Sequence, residues 1–298
     1  MSTPSSDVDG NADAVVDRPT PASNSFVGDV WVNFERWSCK AIQTPATLVL
    51  EVALAVFSLL MFTAVFGDLG ELALERSGFA GVGYVTFILP AALVQVAGSA
   101  AIGSGIGLIG DLQSGMFEKT LVSPMHPAAV FLGKAASELL RVVCYVGLLL
   151  GLGTLLGATV ETGVAGVVGI VLVCLLFSLW YMSISTIVAL ASRDEGTLDA
   201  AANLLLFPLL FFSSAFLPLS ALPRTVQDFA TFNPVTYGAD GVRALVLGRD
   251  VLTVFQFDQF GGVLDTLVPA VTVLVALDLL FGGVAVWLLA HTSRSVVG

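Results

Sequence analysis

"TPATLVLEVALAVFSLLMFTAVFG", Thr44–Gly67, carries a single charge, Glu51. An α-helix rises 1.5 Å per residue, so about 20 apolar residues cross the ~30 Å hydrocarbon core of a bilayer. The run is read as a membrane span. Some 45 polar or mixed residues precede it, which argues against the apolar core of a cleaved signal peptide. The same criterion marks six stretches in all, at about 46–67, 81–109, 134–157, 163–191, 198–218 and 265–290. Of the 298 residues, 56% are hydrophobic and 12% charged, and the mean hydropathy is +0.92. That leaves too little polar surface for a water-soluble domain of this size, so the bilayer is the main solvent.

Outward from the first span, the chain divides into unequal parts. Residues 1–25, with "SSDVDGNADAVVD", read as a disordered acidic tail. Acids outnumber bases 23 to 12; the tail alone, or adaptation to strong salt, accounts for the excess. The balance argues against a nucleic-acid partner. Residues 26–44 place Phe26, Val30, Phe34 and Trp37 at helical steps, an amphipathic helix lying in the membrane interface and ending near Pro45. Residues 45–298 form the six-span domain. Between spans five and six, Pro218, Pro223 and Pro234 break a mixed segment into short re-entrant or interfacial helices. The expected fold is an all-α integral membrane protein.

Six spans put both termini on one side. With the termini inside, Arg36, Lys40, Lys119, Lys134, Arg193 and Arg294 face the cytosol, against Arg76, Arg224, Arg243 and Arg249 outside. That bias favours cytoplasmic termini. It also places "GMFEKTLVSPMHPAAVFLGK", Gly115–Lys134, the most polar interlude of the chain, in the cytosol. Gly103–Gly107, Gly147–Gly151 and Gly153–Gly157 offer small-residue faces for close helix packing.

Chemistry of its own is hard to find. Gly133–Lys134 evokes a phosphate-binding loop, but Ala128 stands at its first glycine and Ala135 at its hydroxyl position, so no ATP site is expected in this chain. Cys39, Cys144 and Cys174, with His126 and His291, have no metal-ligand spacing. Charges inside spans are costly and mark function by default. Asp278 lies near the middle of span six and reads as a proton or cation site, or as a protonated acid or one hydrogen-bonded between helices. Glu138 and Arg141, three apart on span three, can neutralise each other.

Three pieces together resemble the membrane subunits of ABC-2-type transporters, the permeases of drug, polysaccharide and lipid exporters. They are the entry "RWSCKAIQTPATLVL" with its closing Phe66–Gly67; the polar interlude, with Glu118, Thr120, Leu121, Ser123, Pro124, Gly133 and Lys134; and "FFSSAFLPLSALPRTVQDFATFNPVTYGADGVRALVLG", with Asn233, Pro234 and Arg243 in the family's order. Lys119 stands where the family more often has glycine.

The resemblance implies that residues 113–124 form a helix docking on a separate cytosolic ATPase through Phe117, Glu118, Lys119, Thr120, Leu121, Ser123 and Pro124. Phe117 and Leu121, four apart, suit an apolar groove. It further implies a plasma-membrane exporter working with a second permease copy, homodimer or heterodimer. ATP and Mg would be bound by the partner subunit and no cofactor by this chain. An amphipathic or lipid-like cargo is expected, with spans two and five at the dimer interface. An ion-coupled transporter using Asp278 is the alternative.

Overall fold

The computed structural model describes residues 25–42, 45–115, 127–254 and 259–297. Among these the secondary structure is helical: α1 Phe26–Ile42, α2 Pro45–Arg76, α3 Tyr84–Gln113, α4 Pro127–Leu155, α5 Gly163–Ser192, α6 Glu195–Phe211, α7 Arg224–Ala230, α8 Pro234–Leu247 and α9 Val263–Val297. One turn of 3₁₀-helix, Leu219–Ala221, precedes α7. Five helices are long and apolar enough to cross a membrane: α2, α3, α4, α5 and α9.

The centre of the bundle is α3. Of its most apolar window 83% is buried, against 17% for α2 and 11% for α9. Small residues create that position. At Gly105 an added Cβ would lie 2.8 Å from Leu198 Cδ2 of α6 and from the Ser185 carbonyl oxygen of α5. Only hydrogen at Cα lets three helices meet there. The Ser185 hydroxyl then donates to the Ile102 carbonyl at 3.1 Å. Gly103 and Gly107, the small-residue face expected to pack closely, meet Arg141 of α4 and Trp37 of α1 within the same chain. Gly147 and Gly151 of α4 meet open space instead.

Two helix ends differ from expectation. Helix α2 runs on past Gly67 through Asp68, Glu71, Glu75 and Arg76, its extension anchored by Leu74, which is buried in the core while Leu69 and Leu72 are exposed. The expected fifth span, 198–218, is a helix of 17 residues that stops at Phe211, about 25 Å long. Pro208 in its last turn removes a ladder donor. Beyond it the chain is non-helical up to the 3₁₀ turn. This segment stays beside α3 throughout: Gln113 donates to the Arg193 carbonyl, Gly105 meets Leu198, Gly98 meets Leu206, and the Tyr84 hydroxyl donates to the Phe216 carbonyl. Residues 193–216 therefore run antiparallel to α3 along its whole length.

Candidate functional site

The expected docking residues Phe117, Glu118, Lys119, Thr120, Leu121, Ser123 and Pro124 lie outside the described residues. What flanks them is well defined. Helix α1 is seated against the neighbouring ends of α3 and α4. A Cβ at Gly133 would stand 2.6 Å from both the Val30 carbonyl and the Asn33 Cβ, so glycine sets the closest approach of α1 to α4. Lys134, the next residue, is 8% exposed. Its ammonium donates to the Ser104 carbonyl at 2.8 Å and lies 4.6 Å from the Trp37 ring centroid, a cation–π contact. Arg36 pairs with Asp111 of α3 at 3.7 Å, and the Ser38 and Ser137 hydroxyls share a hydrogen bond of 3.1 Å.

The face α1 turns inward corrects the expected stripe. Asp29, Asn33 and Trp37 are buried, while Phe26, Val27, Trp31 and Val32 are exposed. Helix packing here is set by the notch at Gly133, and the outward apolar residues are left for lipid.

One helical turn further along α4, Glu138 and Arg141 meet as expected, at 2.7 Å. Arg141 also donates to the Ala100 carbonyl of α3. Its buried Nε has no hydrogen-bond partner among the described residues.

The second cluster lies at the opposite end of α3 and contains Asn233 and Arg243. Asn233 joins two helices. Its amide nitrogen donates to the Leu209 and Phe212 carbonyls at 2.6 and 2.8 Å, closing the end of α6. Its side-chain oxygen accepts from Val235 N–H at 3.0 Å and opens α8. Pro234 follows at the first helical position, where the missing N–H is harmless.

Every residue of α8 from Pro234 to Val246 is buried. Arg243 and Asp240, both 0% exposed, pair at 2.7 Å. The guanidinium also donates to the Ser214 and Ala215 carbonyls at 2.8 and 3.0 Å and to Phe87 of α3 at 3.4 Å, with the Phe87 ring 3.9 Å away. Asp240 accepts from the Ser214 hydroxyl at 2.6 Å and from the Thr253 N–H and hydroxyl at 3.1 and 2.6 Å.

Together with the Ser213 hydroxyl on Leu210 and Tyr84 on Phe216, these side chains take up the carbonyls that α6 leaves unpaired when it stops. Non-helical backbone persists at membrane depth only where protein satisfies it in this way. The sequence names Asn233 and Arg243 as a motif. It misses Asp240, although its i,i+3 spacing to Arg243 was a visible signal.

Asp278 of α9 stands apart from both clusters. Both of its carboxylate oxygens are shielded from solvent and have no hydrogen-bond partner among the described residues.

Helices of this length and apolarity, an amphipathic helix notched onto them, and a buried Asn-Pro helix closing the opposite end describe a multi-pass membrane protein. Residues 29–247 match the family model of the ABC-2 type transporter, and the chain belongs to this family of ABC transporter permeases. It is 28% identical over 204 residues to the daunorubicin resistance ABC transporter permease protein DrrB1 of Streptomyces coeruleorubidus, covering 68% of this chain and 70% of the relative. It is 22% identical over 232 residues to the probable doxorubicin resistance ABC transporter permease protein DrrC of Mycobacterium tuberculosis, covering 78% and 82%. A putative transport permease, ycf38, of Cyanophora paradoxa is 26% identical over 222 residues, 74% of each chain.

Proposed function

We propose that this chain is the membrane-spanning subunit of an exporter in the plasma membrane, moving an amphipathic or lipid-like substrate with ATP hydrolysed by a separate cytosolic subunit. Both termini are cytoplasmic, so the face holding α1 is the inner one. Residues 193–216 serve as the sixth crossing, their non-helical end covered by α8. The ATPase docks on residues 113–124, and ATP and Mg belong to that partner.

The observation that carries the reading is the seating of α1. Through Gly133, Lys134, Arg36–Asp111 and Ser38–Ser137 it is fastened to the ends of α3 and α4 that bracket residues 116–126. A push on that segment has a packed route into α3, the helix that touches most of the bundle. A second permease copy is supported by α6, whose Leu204, Phe207 and Phe211 are exposed together with Phe212 just beyond it. With α3 consumed inside the chain, α6 is the better candidate for a dimer face and an apolar path. The relatives named for daunorubicin and doxorubicin resistance support a drug as cargo.

The test is a pull-down of the ATPase encoded beside this gene with Phe117→Asp and Glu118→Arg variants, alongside drug- and lipid-stimulated ATP hydrolysis in proteoliposomes. Weakened capture and loss of stimulation in both variants is expected. Undiminished capture in both sinks the docking claim.

Asp278 sustains a second reading, ion-coupled transport, because its carboxylate lies without a partner within a span. Under that reading Asp278→Asn abolishes transport driven by an ion gradient with no ATPase present. Under the exporter reading ATP-driven transport survives the substitution.

A further inference from the structure

A cleft of about 210 Å³ opens on the α1 side of the bundle. Its walls are α4 and α9, which do not pack extensively on one another, and its floor is α3 and α5, which do. Ser104 of α3, Lys134 of α4 and Thr186 of α5 are polar members of the lining, with the Lys134 ammonium on the Ser104 carbonyl; Leu108, Leu179, Met182 and Val286 make much of the rest. Most of this lining is hydrocarbon, and a cation sits in it.

That cation is unusual for this chain. The acids that reach it are already engaged: Glu138 holds Arg141 at 2.7 Å and Asp111 holds Arg36 at 3.7 Å. Among the described residues no carboxylate comes within salt-bridge distance of Lys134. An ammonium has three donors. One goes to the Ser104 carbonyl and the Trp37 ring covers part of the charge. The Ser104 and Thr186 hydroxyls have no hydrogen-bond partner among the described residues. A membrane protein does not gain from leaving a positive charge and two hydroxyls against an apolar cleft. A ligand with an anionic head and a hydrocarbon tail satisfies both halves at once.

We infer that the α4–α9 cleft binds an anionic phospholipid from the leaflet on the α1 side, its phosphate at Lys134, Ser104 and Thr186 and an acyl chain running toward the bilayer centre along Leu179 and Met182. The inference rests on the cleft and its charges and does not require the transport reading. Lys134 also fastens α1, so an occupied cleft supports the α1 seat from the side opposite Trp37.

The experiment titrates the purified full-length chain, in a mild neutral detergent, with phosphatidylglycerol, phosphatidylcholine and inorganic phosphate, and counts bound molecules by native mass spectrometry. Phosphatidylglycerol is expected to bind about tenfold or more tightly than phosphatidylcholine, and millimolar inorganic phosphate is expected not to displace it. Lys134→Gln weakens phosphatidylglycerol about tenfold, while Lys134→Arg retains it.

Gly282→Leu is the independent variant. A Cβ there meets the Ser183 hydroxyl at 3.6 Å, an ordinary contact, so the side chain fills the cleft while the charge and the α1 seat stay intact. It is expected to lose the lipid even if Lys134→Gln fails to fold. Equal binding of phosphatidylcholine overturns the anion selection, and displacement by free phosphate overturns the lipid. Unchanged binding in Gly282→Leu overturns the site.

Discussion

The two ends of this bundle use charge in opposite ways. At the α8 end, Arg243 and Asp240 are fully buried, and every partner they need is present: one another, three backbone carbonyls, two hydroxyls and an N–H. At the α1 end, Arg141 has a carboxylate and a carbonyl, but its Nε is left over, and Lys134 has no carboxylate at all among the described residues. A saturated network has a single good arrangement and holds its parts still. An unsaturated one can exchange partners at little cost. The contrast suits the α8 end to holding the interrupted backbone in place, and the α1 end to the docking and lipid binding proposed for it. A transporter needs both.

Arg243→Ala should break the contrast most severely. It strands a buried carboxylate and uncovers the Ser214 and Ala215 carbonyls, and breaking a buried pair from one side costs about 3–5 kcal/mol. The thermal midpoint and yield of monodisperse protein in detergent should collapse, and Asp240→Leu added to Arg243→Leu should recover part of the loss. Asn233→Ala comes next: two carbonyls and one N–H lose their partner, at about 1–3 kcal/mol for each group left unsatisfied in the interior. Hydrogen exchange should rise first at the end of α6 and the start of α8.

Arg141→Met should cost visibly less stability than Arg243→Ala in the same melting assay, since the site it vacates was never complete. Equal losses would erase the distinction between the two ends.

The smallest effect belongs to Asp194, the N-cap of α6. The Thr197 backbone N–H at 2.7 Å and hydroxyl at 2.8 Å hold its carboxyl below the ordinary aspartate range. The cap is therefore present above the unfolded pKa and is lost as pH falls through the lower folded value. Amide exchange over residues 195–198 should rise at acid pH in the parent and become independent of pH in Asp194→Asn.

Sequence reasoning reached the spans because hydrocarbon thickness imposes a length that composition alone reveals. It failed where a helix end is set by distant side chains. "LLLFPLLFFSSAFL" stays apolar well past Phe211, so apart from Pro208 nothing local announces that the helix stops. The stop is made tolerable by Asn233 and Arg243, more than twenty residues downstream. The inward stripe of α1 was likewise illegible, because it answers to the absence of a side chain at Gly133 a hundred residues away. In the candidate site, Asn233, Arg243 and the Glu138–Arg141 pair were legible, and Asp278 was visible as a charge within a span. Asp240 and the role of Lys134 emerge only when the helices are brought together.

The overrun of α2 sets the depth of the whole molecule. Between Pro45 and Asp68 its apolar stretch measures about 33 Å, close to the ~30 Å of hydrocarbon. Asp68, Glu71 and Glu75 are exposed on the turns that follow and cannot sink into lipid. The helix therefore acts as a depth gauge: a thinner bilayer must tilt it, and a thicker one must thin locally to meet its acidic collar. Because Tyr84, which begins α3, packs against Gly70 of α2, any such tilt is passed to the central helix, and the thickness of the host membrane becomes an input to how the bundle is set.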